Sequence, residues 1–165
     1  MYKNLFFMNN VILRKYMWLF GVVSAGMVVD QATKHYVKGI VSTVKRIRIC
    51  SVFSIVETYN TGISWGFLSK TGKTFQWGIL GLSMGLVVMF LRMFANEKRL
   101  SSQWAIALII SGACGNIIDR FFLGAVFDFL SIHWKNFNFP VFNVADMLIS
   151  VGFMILLRDY CKWNR

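Results

Sequence analysis

Acidic residues are few in this chain. Seven occur, Asp30, Glu57, Glu97, Asp119, Asp128, Asp146 and Asp159, against 18 Lys and Arg, for a formal charge of +11. A basic chain can serve nucleic acid, but in a chain this apolar the better partner is an anionic lipid headgroup, and no nucleic-acid partner is expected. Cysteine is also scarce. Cys50, Cys114 and Cys161 fall in a loop, within an apolar run and after the last run, so no disulfide framework follows. The two histidines, His35 and His133, have no ligand-like spacing. No metal site, no cofactor and no Ser–His or Cys–His nucleophile is therefore expected. Internal repeats and low-complexity tracts are missing too, which excludes a solenoid or a linker-rich chain.

Apolar sequence is what remains. Hydrophobic residues make up 56% of 165 residues, and the mean hydropathy is +0.56. That composition points to lipid as the solvent and to one membrane domain over residues 1–165. Charge-free runs at Tyr16–Val29, Phe75–Leu91 and Leu100–Ile118, and a fourth after Pro140 broken only by Asp146, predict four membrane helices. A crossing needs about 20 residues. The first span must therefore carry Asp30 and Lys34, which stand one helical turn apart and can pair. The predicted spans are about 16–37, 74–92, 101–119 and 141–158. A cleaved signal peptide over residues 1–29 is the rival reading of the first run. Asp30 and Lys34 look built into the continuing helix, so a retained span is favoured.

Between the first two spans, residues 40–67 are unlike a linker and form the expected β segment: Thr43–Tyr59 is rich in Val, Ile and Phe with polar residues interspersed, and reads as one or two strands ending at Asn60-Thr61-Gly62. Val126–Trp134 is strand-like as well. Both lie on one side of a four-span bundle, so a small shared sheet resting on the membrane is expected. The expected fold is thus a mainly α membrane protein, a four-transmembrane-helix bundle with a small sheet on one face. Lys and Arg number nine on each side of such a bundle, and only the weight given to short loops favours both termini inside.

Asp119 and Asp146 each stand where a long apolar run meets a polar turn. A carboxylate at that depth needs a function or a partner. Two carboxylates at close range share one proton, so one can take a proton from water while the other polarises a carbonyl. The spacing leaves other roles open. Asp119 can pair with Arg120 or Lys34 while Asp146 caps the fourth span, or both can serve a proton-coupled transporter. Asn116 and Asn143 each precede an aspartate by three residues, on the same helix face, and are expected to orient it. Asp128 reads as a structural loop acid. The glycines Gly78, Gly81, Gly85, Gly112 and Gly115 read as surfaces for close helix packing.

Five ordered motifs then narrow the choice. They are Asp30-Gln31-Ala32-Thr33-Lys34, Asn60-Thr61-Gly62-Ile63-Ser64-Trp65-Gly66-Phe67, Gly112-Ala113-Cys114-Gly115-Asn116-Ile117-Ile118-Asp119-Arg120, Val126-Phe127-Asp128-Phe129 and Phe142-Asn143-Val144-Ala145-Asp146. The set closely resembles bacterial lipoprotein signal peptidase, also called signal peptidase II. The resemblance implies an inner-membrane aspartic peptidase of four helices and an extracytoplasmic β-cradle, with both termini cytoplasmic. It implies cleavage of diacylglyceryl-modified prolipoproteins just before the lipidated cysteine, inhibition by globomycin-type peptides, and Asp119 with Asp146 as the catalytic dyad. Asp30, Lys34, Asn60, Gly62, Asn116, Arg120 and Asn143 fall on positions that support the dyad or contact substrate. Membrane lipids are the other expected partner, and a monomer is expected because one chain supplies both acids. Ser111 and the Ser64-Trp65 pair depart from the family's usual residues.

Overall fold

A computed structural model describes residues 2–62, 73–135 and 137–163. Among these residues run four helices, α1 (Tyr2–Val44), α2 (Lys73–Asn96), α3 (Leu100–Leu123) and α4 (Val144–Trp163). Four short strands join them, β1 (Arg46–Arg48), β2 (Phe53–Asn60), β3 (Val126–Trp134) and β4 (Phe137–Asn138). The strands form one antiparallel sheet in the order β1-β2-β3-β4. The two strand-like stretches of the sequence do pair, with Thr58 opposite Asp128 and Asn60 opposite Val126.

Element bounds differ from the expected ones for local reasons. α1 spans 43 residues, about 64 Å at a rise of about 1.5 Å per residue. It runs on through residues 40–44, which the sequence pattern had assigned to the sheet, and stops where Lys45 takes a left-handed φ of 59°. The strand part of 40–67 is therefore 46–60, and Ile63–Phe67, with Ser64 and Trp65, lies outside the described residues. α3 continues past Asp119 to Leu123 because Gly124, at φ 71°, returns its N–H to Arg120 O at 3.1 Å. α4 starts at Val144 rather than near 141, since Phe142 is still bridged to Leu130 of β3.

Among the described residues, three helices are long and apolar enough to cross a membrane: Ile12–Val44, Phe75–Asn96 and Leu100–Leu123. α4 is less uniform, because Asp146, Arg158, Asp159 and Lys162 all fall within its 20 residues. α3 is the central helix; α1, α2 and α4 all pack on it. One apolar cluster joins Leu19, Phe94, Ile106, Ala107 and Ile110 across α1, α2 and α3. A second joins Val41 of α1 to Phe127 and Phe129 of β3, with Val144 of α4 against it, and so seats the sheet on the ends of two helices.

Close approach explains only some of the glycines. A Cβ at Gly112 would run into the backbone carbonyl of Ala145. One at Gly115 would stand 2.5 Å from Asp30 Oδ2. Gly78, Gly81 and Gly85 meet nothing within 4 Å among the described residues, so the packing role expected of α2's glycines is not found there. The Ser111 departure is accommodated across the interface: its hydroxyl donates to Val23 O at 3.2 Å and lies against Gly26.

Candidate active site

Asp30, Lys34, Asn116, Asp119, Asp128 and Asn143 are all buried at one end of the bundle, under the sheet. Lys34 stands at the centre. Its ammonium lies 2.8 Å from Asp30 Oδ2 and 2.9 Å from Asp119 Oδ2, and it donates to Asn116 Oδ1 at 3.1 Å. A buried cation between two carboxylates satisfies charges that would otherwise be very unfavourable in such a place. Asp119 accepts further bonds, from Gln31 Nε2 at 3.0 Å and from the Phe127 N–H at 3.0 Å. Gln31 also reaches Asp30 Oδ2 and Gly115 O, each at 3.2 Å.

The start of α4 holds the other half of the site. Asn143 Oδ1 accepts from the Asp146 N–H at 3.0 Å, and Asp146 Oδ2 accepts from the Asn143 N–H at 3.1 Å. This reciprocal pair is a capping box. Asp30 Oδ1 accepts from the next free amide, Ala145 N–H, at 2.9 Å, which places a carboxylate at the positive end of the helix. Asn116 Nδ2 donates to Asp146 Oδ1 at 2.8 Å. Its Oδ1 takes Lys34 and Asn143 Nδ2, each at 3.1 Å, so the amide can point only one way round.

Asp128 lies on the face of β3 opposite Phe127 and Phe129. It accepts from Asn143 Nδ2 at 2.6 Å and from Asn60 Nδ2 at 3.1 Å. Asn60 in turn accepts from the Gly62 N–H at 2.9 Å. Burial, followed by the negative charge of Asp146, pushes the Asp128 carboxyl up from 3.8 to about 6, against the opposing effect of its hydrogen bonds and of Lys34. Arg120 is close enough to Asp146, Asp128 and Asp119 to feel all three charges. Its Nε is buried without a hydrogen-bond partner among the described residues.

The structure thus gathers all nine residues that the sequence singled out, and adds two. Gln31 was visible only as a motif neighbour of Asp30. Asp128 was visible as an acid flanked by Phe127 and Phe129, which says which face it takes but not what meets it there. Between Asp119 and Asp146 no direct hydrogen bond runs; Lys34 and Asn116 link them. Asp128 and Asp146, by contrast, are both held by Asn143. No group of three or more His, Cys, Asp or Glu suited to a metal ion occurs among the described residues.

Comparison with known proteins bears on the whole arrangement. A family model described as Signal peptidase (SPase) II matches residues 22–162. The lipoprotein signal peptidase of Pseudoalteromonas atlantica is 34% identical over 151 residues, which cover 90% of each chain. That of Geobacter sulfurreducens is 36% identical over 147 residues, 87% of this chain and 91% of the relative. That of Rickettsia felis is 39% identical over 115 residues, 69% of this chain but only 58% of the longer relative. A solved structure titled as a bacterial membrane enzyme matches with a TM-score of 0.70 and 27% identity over 87% of both chains. Long apolar helices with a buried carboxylate cluster at one end define an integral membrane protein built around a polar centre. The chain belongs to the signal peptidase II family, a family of peptidases.

Proposed function

We propose that this protein is a membrane aspartic endopeptidase that removes signal peptides from diacylglyceryl-modified prolipoproteins, cutting before the lipidated cysteine. Family membership supports the substrate class. The observation that carries the chemistry is Asp128, held with Asp146 on Asn143 and pushed up to about 6 by burial and by Asp146.

The sequence reading paired Asp119 with Asp146. We place Asp128 in that role instead. The oxygens of Asp119 are taken by Lys34, Gln31 and the Phe127 amide, which suits a carboxylate that positions its neighbours. Asp128 holds the shared proton and gives it to the scissile carbonyl oxygen. Asp146, the more exposed of the pair and aimed by Asn116 and Asn143, takes a proton from water. That water attacks the carbonyl carbon, and the tetrahedral intermediate collapses as a proton passes to the leaving amide nitrogen. No covalent enzyme intermediate forms. Asp119, with Asp30 and Lys34, holds Asn116 in register. Arg120 supplies a buried donor for a substrate carbonyl.

In this reading α4 is the fourth crossing, residues 1–165 act as one domain, both termini are cytoplasmic, and the sheet and site lie at the extracytoplasmic face of the bacterial inner membrane. The substrate's acyl chains then lie in the bilayer and hold the scissile bond at the depth of the site. Globomycin-type peptides would occupy the same site, and one chain suffices for activity. A proton-coupled transporter has no support among the relatives. The apolar cluster of Leu19, Phe94, Ile106 and Ile110 also separates the carboxylates from the other end of the bundle.

The test is cleavage of a diacylglyceryl-modified prolipoprotein by purified variants. Asp128→Asn and Asp146→Asn each lose about 10²–10⁴-fold in turnover, the usual worth of a general acid or base. Asp119→Asn loses stability first and retains measurable cleavage. If Asp128→Asn cleaves at the wild-type rate while a folded Asp119→Asn is inert, the pair is Asp119 and Asp146, joined through Lys34 and Asn116.

A further inference from the structure

A second polar feature lies at the end of the bundle away from the carboxylates. Both α2 and α4 pack on α3, but among the described residues they do not pack on each other. Where α2 and α4 finish, the gap opens into a cleft of about 620 Å³, a size typical of small-molecule sites. Met93 and Leu156 give it apolar walls, and Lys98, Arg99 and Tyr160 give it polar ones.

Two acids also line it, and both already have internal duties. Asp159 Oδ2 accepts from Ser101 Oγ at 2.6 Å and Ser102 Oγ at 3.0 Å. Glu97 Oε1 accepts from the N–H groups of Lys98 and Arg99, each at 2.8 Å. The surrounding charge is positive. Arg92 near the end of α2, and Arg158 and Lys162 near the end of α4, add to Lys98 and Arg99. Toward the middle of the helices the surface turns apolar and outward, with Met89, Phe153 and Leu157 exposed. A cationic rim above an apolar, exposed flank at the end of membrane-crossing helices matches the chemistry of a lipid: phosphate at the rim, hydrocarbon below.

We propose that this cleft binds the phosphodiester headgroup of an anionic glycerophospholipid, with the phosphate at Lys98 and Arg99 and the acyl chains along α2 and α4. The excess of positive charge favours phosphatidylglycerol over the zwitterionic phosphatidylethanolamine. This site is separate from the carboxylate centre and does not depend on the peptidase reading.

Native mass spectrometry of the purified full-length protein in detergent tests it, with phosphatidylglycerol, phosphatidylethanolamine and inorganic phosphate titrated in turn. Wild type retains phosphatidylglycerol in preference to phosphatidylethanolamine, and inorganic phosphate does not displace it. Removing one cation near an anionic lipid weakens binding about fivefold, so Lys98→Gln shows that loss and Lys98→Gln with Arg99→Gln roughly twenty-five-fold. Lys98 is exposed and its side chain serves no element, so the single variant keeps the test valid if Arg99→Gln disturbs the start of α3. Unchanged retention by Lys98→Gln, or equal retention of the two lipids, overturns the proposal. Displacement of the lipid by inorganic phosphate assigns the cleft to free phosphate and also overturns it.

Discussion

Folding pushes the Asp128 carboxyl up from 3.8 to about 6, because burial and the charge of Asp146 both disfavour its charged form. The native state therefore binds that proton more tightly than the unfolded chain does. The stabilising effect of the proton is present below the unfolded value and is lost as pH rises through the folded one. Stability should fall between about pH 4 and pH 6 and level off above, by at most roughly 3 kcal/mol at about 1.4 kcal/mol per pH unit. Thermal unfolding across that range checks this: wild type shows the decline and Asp128→Asn flattens it. An equal slope in both would remove Asp128 as its source. The sequence made Asp128 visible as an acid within β3 but hid its role. Strand alternation sets which way it faces, while Asn143 and Asp146 reach that face from α4, whose placement depends on long-range packing.

At the scale of elements, α3 and α4 meet through small residues. Gly112 lies so close to the Ala145 carbonyl that any side chain must push the helices apart. Gly112→Ala should destabilise the protein by about 1–3 kcal/mol, read as a lower melting temperature. Because Ala145 and Asp146 are neighbours at the capped end of α4, cleavage activity should drop with it. Gly81→Ala, with nothing within 4 Å of its added carbon among the described residues, should cost neither stability nor activity. The four helices and both long strands were legible because apolar run length and strand alternation are local signals. Which glycine touches a partner was not, since α2 and α3 carry similar glycine spacing and only the fold decides which face is covered. The extension of α1 to Val44 was hidden for a related reason: residues 40–44 are Val-rich and suit either a strand or a helix, and Val41 settled the matter by packing on Phe127 and Phe129.

For the whole molecule, two native cysteines report on orientation. Cys50 is exposed beside the sheet and Cys161 is exposed near the end of α4. With an even number of crossings they face opposite sides of the membrane. A membrane-impermeant maleimide added to intact spheroplasts should label Cys50 and should reach Cys161 only after permeabilisation. Labelling of both from outside would remove the fourth crossing. Charge counting could not resolve this orientation, because the basic residues divide evenly between the two sides.

One contact links the two ends of the chain. Asp30, on the first helix, supplies the acceptor for the Ala145 amide at the head of the last, 115 residues later. During synthesis the first helix emerges with an unfinished ring of partners, and the last helix completes it. A nascent chain that has not yet delivered α4 therefore lacks Asn143 and Asp146, and its Asn116 Nδ2 has no Asp146 carboxylate to donate to. The same contact that fixes the centre's geometry also sets when it comes into being: the protein stays inert until its final helix is in place.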